Sequence, residues 1–272
     1  MTTDSRPRLS PALIINIWVL RFTRNWLRIV LTILGVFTIL PILAPVLMRA
    51  GATEPAQVIY TLYGPFCHQF AFRSAYLFGE QGFYPRAISD SPLTPYEVYI
   101  SAEDSGFDAA LNQAIEFHFS GTVDQAEAAI AGFDPYVFSP LLQFASRYFF
   151  GNEQMGYKMA ICARDIGTYS ALFGGGLLFA IPFVRRRVRP VPILLYLFLG
   201  LGPIGLDGTS QLLSYPPFEL WPPRETEPAF RVVTGALCGF MNAWLGFPYL
   251  NLSIRDTRER LEVKLARAGI KV

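Results

Sequence analysis

Between Ile166 and Val184 the chain carries no charged residue, and a run of that length suits a membrane-spanning helix. Immediately ahead of the run stands Cys162-Ala163-Arg164-Asp165-Ile166-Gly167. A thiol, a guanidinium and a carboxylate thus sit where lipid would begin. Ionisable groups at that depth are costly and normally find partners. A chain built this way must supply those partners from elsewhere.

Ile29–Met48 and Val232–Ile254 are also uncharged and long enough to span, and Val191–Leu206 is a shorter uncharged run. Only 16% of the residues are charged, against roughly 25% in soluble domains. Aromatic residues are abundant, as expected where rings anchor at headgroup level. Ala56–Phe72 is uncharged apart from a neutral His68, but Gly64-Pro65 interrupts it. A proline within a helix removes a backbone donor and kinks it.

The basic residues are sorted along the chain. Residues 1–28 hold Arg6, Arg8, Arg21, Arg24 and Arg28 with one acid, and read as a basic amphipathic segment on the inner membrane face or as the start of the next helix. Arg185, Arg186, Arg187 and Arg189 form a second basic stretch, and residues 255–272 a third. Basic flanks stay cytoplasmic. All three lie inside only if an even number of crossings separates each from the next. This predicts a multi-pass protein of the cell membrane with four spans and both termini cytoplasmic. Ala56–Phe72 then does not cross, and is a re-entrant or interfacial segment on the outer side. Ile29–Met48 is too long, and too far from the start, for a signal peptide, so it reads as a retained anchor.

The expected organisation follows. Residues 1–28 are the basic segment; 29–73 hold the first span and the re-entrant segment with Cys67-His68-Gln69; 74–156 form an acidic outer insertion; 157–254 form a three-span core; 255–272 are the cytoplasmic tail. The fold class is an all-α integral membrane protein with a mainly helical insertion. Ser74 to Gln154 contains eleven acids but only Arg86 and Arg147 as bases. Within it Pro92–Ile100 reads as extended and Glu103–Phe119 as helical from its four-residue apolar steps. Thr122 reads as the cap of a short helix to Ile130. Asp134-Pro135 reads as the start of an aromatic helix over Tyr136–Phe150, lying against the membrane or a partner.

With this topology the unusual polar residues gather on one side: Cys67, His68 and Arg73; Arg164 and Asp165; Asp207 and Gln211; Arg231. They form either ion pairs that lock the helices or a site. Asp165, Asp207, Arg164 and Arg231 are the candidate catalytic groups, with Arg73, Gln211 and Thr234 as ligand-binding or structural neighbours. Three chemistries are open to the cysteines. Cys67 and Cys162 could pair as a disulfide on an oxidising face. Cys67, His68, Cys162 and Asp165 offer ligand types that zinc accepts. A thiol beside Arg164 or Arg73 could be reactive. Cys238 lies within an apolar run and reads as packing, and His118 as surface or packing. Gly174-Gly175-Gly176, Gly235 and Gly239 suit close helix packing.

Taken together, Cys67-His68-Gln69 with Arg73, Cys162-x-Arg164 with Gly167 and Tyr169, Asp207-Gly208-x-x-Gln211, and Arg231-x-x-Thr234-Gly235 carry a family signature. The chain resembles the predicted multi-pass membrane proteins called domain of unknown function 2085. The resemblance implies a membrane location and attaches no activity. Relatives of that family tend to show a second cysteine where this chain has Asp165, and a shorter link between Arg73 and Cys162. The long acidic insertion therefore suggests a lineage-specific partner surface.

Two functions are expected. One is an outward-facing Cys/His/Arg/Asp site for a metal, with zinc as the candidate cofactor, or for a small polar ligand. The other is an accessory subunit of a membrane complex, docked through the aromatic insertion. Besides the bilayer, other membrane-complex subunits are the expected partners. The net charge of +2 indicates no nucleic-acid surface. Transport ranks last, with few spans and no repeat between halves. Whether the protein is an enzyme is left open by its sequence.

Overall fold

In the computed structural model, residues 10–118 and 130–270 are described. The helix expected from Thr122 to Ile130 lies almost entirely outside them. The first helix, α1 (Pro11–Arg49), is capped by the Ser10 side chain and runs unbroken through the basic segment and the apolar run. Helix α2 (Thr53–Tyr63) buries Ala56, Ile59, Tyr60 and Tyr63, one stripe at helical spacing. It folds back along α1, and the Tyr63 hydroxyl donates to the Phe37 carbonyl at 2.7 Å.

The insertion is framed by strands that its sequence does not announce. Strand β1 (Ser74–Leu77) leads in; β2 (Gly151–Asn152) and β3 (Gly156–Cys162) lead out. They form one antiparallel sheet in the order β1-β3-β2, with Ser74 opposite Cys162. Between them lie α3 (Tyr96–Ile100), α4 (Phe107–His118) and α5 (Pro140–Tyr148). Two expectations need correction. The segment after Pro95 is helical rather than extended, because Tyr96, Glu97, Tyr99 and Ile100 all turn into the core. The last helix starts at Pro140 rather than Tyr136, because Ser139 caps it through the Leu142 amide. Asp134 closes a local turn onto the Tyr136 amide. The aromatic residues are largely used inside the insertion: Tyr84, Tyr96, Phe107 and Phe149 form its core together with Phe72 just ahead of it, and Phe144 and Tyr148 pack against it.

A buried ion pair and a buried lysine fasten this unit. Arg86 and Glu97 form a fully buried pair at 2.9 Å, and Glu97 also accepts from the Ala87 amide. Lys158 is completely buried, and its ammonium donates to the carbonyls of Gln69, Ser146 and Arg147 at 2.7–2.9 Å. Two of those carbonyls belong to the last turn of α5, where a cation meets the negative helix end. Burial holds the Lys158 pKa well below its ordinary value.

Helix α6 (Ala163–Ala180) follows β3 directly, and α7 (Pro182–Arg187) carries the basic loop. Helix α8 (Ile193–Ser214) includes a π-helical turn over Tyr196–Leu201. The final helix, α9 (Pro228–Arg267), runs through the apolar stretch and into the basic tail. Among the described residues, three helices are long and apolar enough to cross a membrane: α1, α8 and α9.

Helix α9 lies against α6 at backbone contact. A Cβ at Gly239 would fall 2.0 Å from the Thr168 carbonyl oxygen, and one at Gly235 would fall 2.1 Å from that of Arg164. Replacing Gly239 with Val is expected to destabilise the protein by about 1–3 kcal/mol or more, since backbone must move. Thermal unfolding in detergent would show it, with Gly174→Ala as the tolerated control, because nothing lies within 4 Å of that position.

Candidate functional site

The α6–α9 contact sets the position of Arg164, and two linked polar groups assemble around it. The first centres on Glu225, in the proline-rich loop between α8 and α9. Its carboxylate accepts from Arg73 (2.5 and 3.2 Å), Arg231 (2.6 Å), Gln211 (2.5 Å) and the Tyr215 hydroxyl (2.8 Å). Arg231 also donates to the Gln211 side-chain oxygen at 2.8 Å and to the Thr226 carbonyl at 3.3 Å. Glu225, Arg231 and Gln211 are all buried. Burial would raise the Glu225 pKa, but the charges of Arg73 and Arg231 outweigh it and bring it down to about 2.

The second group centres on Asp207, one helical turn before Gln211 on α8. Asp207 pairs with Arg164 and with Arg224 (3.2 Å), and accepts from the Thr226 hydroxyl at 2.6 Å. Arg224 also donates to Ser210. The consecutive Arg224, Glu225 and Thr226 thus plug a loop into the bundle end. Glu225 and Arg224 are the residues that sequence reading missed. The signal available was the Arg224-Glu225-Thr226-Glu227 run that closes a proline-rich loop.

Cys67, Cys162 and Asp165 form a third group. Their donor atoms all lie within 4.8 Å of one another. The local chain explains the convergence. Gln69 adopts a left-handed conformation (φ 57°) after the Gly64-Pro65 break, and its side chain donates to the Tyr60 and Ala160 carbonyls. This ties the Cys67 turn to β3, whose last residue is Cys162. The Cys67 sulfur accepts from the Cys162 amide (3.2 Å) and the Gln69 amide (3.4 Å). The Cys162 thiol donates to Asp165 at 3.0 Å, across the first turn of α6. Both cysteines are free thiols. The hydrogen bond with Cys162, and then burial, push the Cys67 thiol up from its ordinary value.

None of the remaining expected residues joins this third group. His68 is exposed, with its ring against Phe70, and is not among the clustered donors. The Thr234 hydroxyl is directed to the Phe230 and Arg231 carbonyls of its own helix. Arg231 pairs with Glu225 rather than with either aspartate. Cys238 is buried within α9, where Asn242 approaches its sulfur at 3.3 Å.

Fold and site together describe a mainly helical protein with long apolar helices and a polar cluster at their ends. Residues 143–245 match the family of predicted membrane proteins known as DUF2085. The matched stretch contains the Cys162, Asp207 and Arg231 motifs, and begins well after Cys67. An uncharacterized protein of Methanocaldococcus jannaschii is 34% identical over 86 residues, covering 31% of this chain. The chain spans about half the length of that relative. No solved structure matches the chain.

Proposed function

We propose that this is a four-span integral membrane protein whose outer face carries a three-ligand zinc-type site, formed by Cys67, Cys162 and Asp165. The observation that carries the reading is the mutual approach of three donor atoms within 4.8 Å. Zinc–thiolate bonds of about 2.3 Å in a tetrahedron place two sulfurs about 3.8 Å apart, so a small contraction would seat the ion. The two amides that point at the Cys67 sulfur are the kind of outer-shell donors that steady a metal-bound thiolate. Three protein ligands leave a fourth position for water or a substrate group, as in catalytic zinc sites.

The Glu225 and Asp207 networks serve in this reading as the lock that holds the helix ends. Apart from the buried Arg164 Nε, their charged groups are paired with one another, so they are not the ligand-binding part. The fourth span is α6: its 18 residues reach about 27 Å at 1.5 Å per residue, close to the hydrocarbon thickness. Helix α2, with 11 residues, is too short to cross and is the re-entrant element. Charge sorting supports termini and an Arg185 loop in the cytoplasm, with the insertion outside.

The test is purification in detergent without chelator, followed by measurement of bound metal and of free thiols with and without reductant. About one zinc per chain is expected, lost in Cys162→Ser and retained in His68→Ala. A metal-free protein with a reducible Cys67–Cys162 bridge would overturn the site.

A further inference from the structure

At the other end of the helices a second polar feature takes no part in this site. Arg24 and Arg28 of α1, Arg185 of α7, and Arg255 and Arg258 of α9 line one cavity of about 570 Å³. These arginines come from three separate parts of the chain, so their meeting is a product of the fold. Among the described residues, no acidic side chain lines the cavity. Glu262 bonds Arg24 and Arg258 at 3.0 Å, and Glu259 bonds Arg255 at 3.0 Å. Among the described residues, Arg28 and Arg185 have no carboxylate partner. The floor is apolar, with Leu27, Leu31, Ala180, Ile254 and the buried Trp26.

We propose that this cavity binds the phosphate of an anionic phospholipid headgroup from the inner leaflet. Guanidinium groups present a planar fork of donors that matches phosphate oxygens, and two of them here are unpaired. The floor meets the apolar parts of α1, α6 and α9, where acyl chains of a bound lipid would run. A soluble phosphate would have no use for that floor. The site rests on the inward placement of the basic ends but not on the metal reading.

The experiment titrates full-length protein, in a neutral detergent, with phosphatidylglycerol, phosphatidylcholine or inorganic phosphate, and reads binding by native mass spectrometry and thermal unfolding. The comparison is with an Arg28→Gln/Arg185→Gln double variant, which disturbs no ion pair. Saturable phosphatidylglycerol binding is expected, weakened on the order of 10- to 30-fold in the double variant, at the usual contribution of a basic side chain near an anionic surface. Phosphatidylcholine and inorganic phosphate are expected to bind far more weakly. Equal binding of phosphatidylglycerol by the double variant, or no preference over phosphatidylcholine, would overturn the proposal. Inorganic phosphate binding as tightly as the lipid would make this a soluble-anion site and overturn it equally. Zinc content serves as the separate control: its loss or absence bears on the outer site alone.

Discussion

Replacing Glu225 with Gln is expected to destabilise the protein by about 3–5 kcal/mol, the effect of leaving buried charge without its counter-ion. Arg73 and Arg231 both depend on this carboxylate, and Arg231 is itself buried. Thermal unfolding in detergent measures the loss. The same residue predicts an acid limb. Its pKa falls from an ordinary 4.5 to about 2 in the folded chain. A depressed carboxylate pKa contributes stability that is complete above the unfolded value. That stability is lost as pH falls from about 4.5 towards 2, on the order of 3 kcal/mol for this shift. Glu225→Gln should therefore be less stable at neutral pH and lose less on acidification. A variant as stable as the parent at pH 7 would remove Glu225 from the centre of the lock.

Glu97→Ala is expected to have an effect of similar size, confined to the insertion. It leaves Arg86 fully buried without a counter-ion, at a cost of about 3–5 kcal/mol. The double substitution Arg86→Leu/Glu97→Leu removes both charges and should recover much of that loss. Limited proteolysis of the loop segments around Ser91 and Glu103 would report opening of this unit. If the double variant were no better than the single, the Arg86 bonds to the Pro135 and Tyr136 carbonyls would be the important ones.

These effects centre on residues of very different legibility. Arg164, Asp207 and Arg231 could be picked out because charge beside an apolar run is rare, and the fold does bring them to one place. Glu225 could not, because nothing within its loop says that Arg73, 152 residues earlier, will meet it. The insertion shows the same division. Four-residue apolar steps in α4 gave away its helix, whereas Asp134-Pro135 marked a start for the last helix that lies a few residues too early. The Ser139 cap and the packing of Leu141, Leu142 and Ala145 into the core set the actual start at Pro140. Strand β1 is four residues long, too short to show a period, and its partner lies beyond the whole insertion.

Local pattern alone thus determined the membrane class, the approximate places of the apolar helices and the segregation of basic from acidic segments. Hydrophobic burial and charge cost act residue by residue along a helix, so they leave a readable trace. Tertiary structure alone decided that Cys67 meets Cys162 and Asp165 while His68 turns away, that Glu225 joins Arg73 to Arg231, and that five arginines close around one cavity. Each of those contacts joins segments far apart in the chain. Their geometry is set by backbone approach at Gly235 and Gly239 and by the left-handed turn at Gln69, and no periodicity in the sequence encodes either.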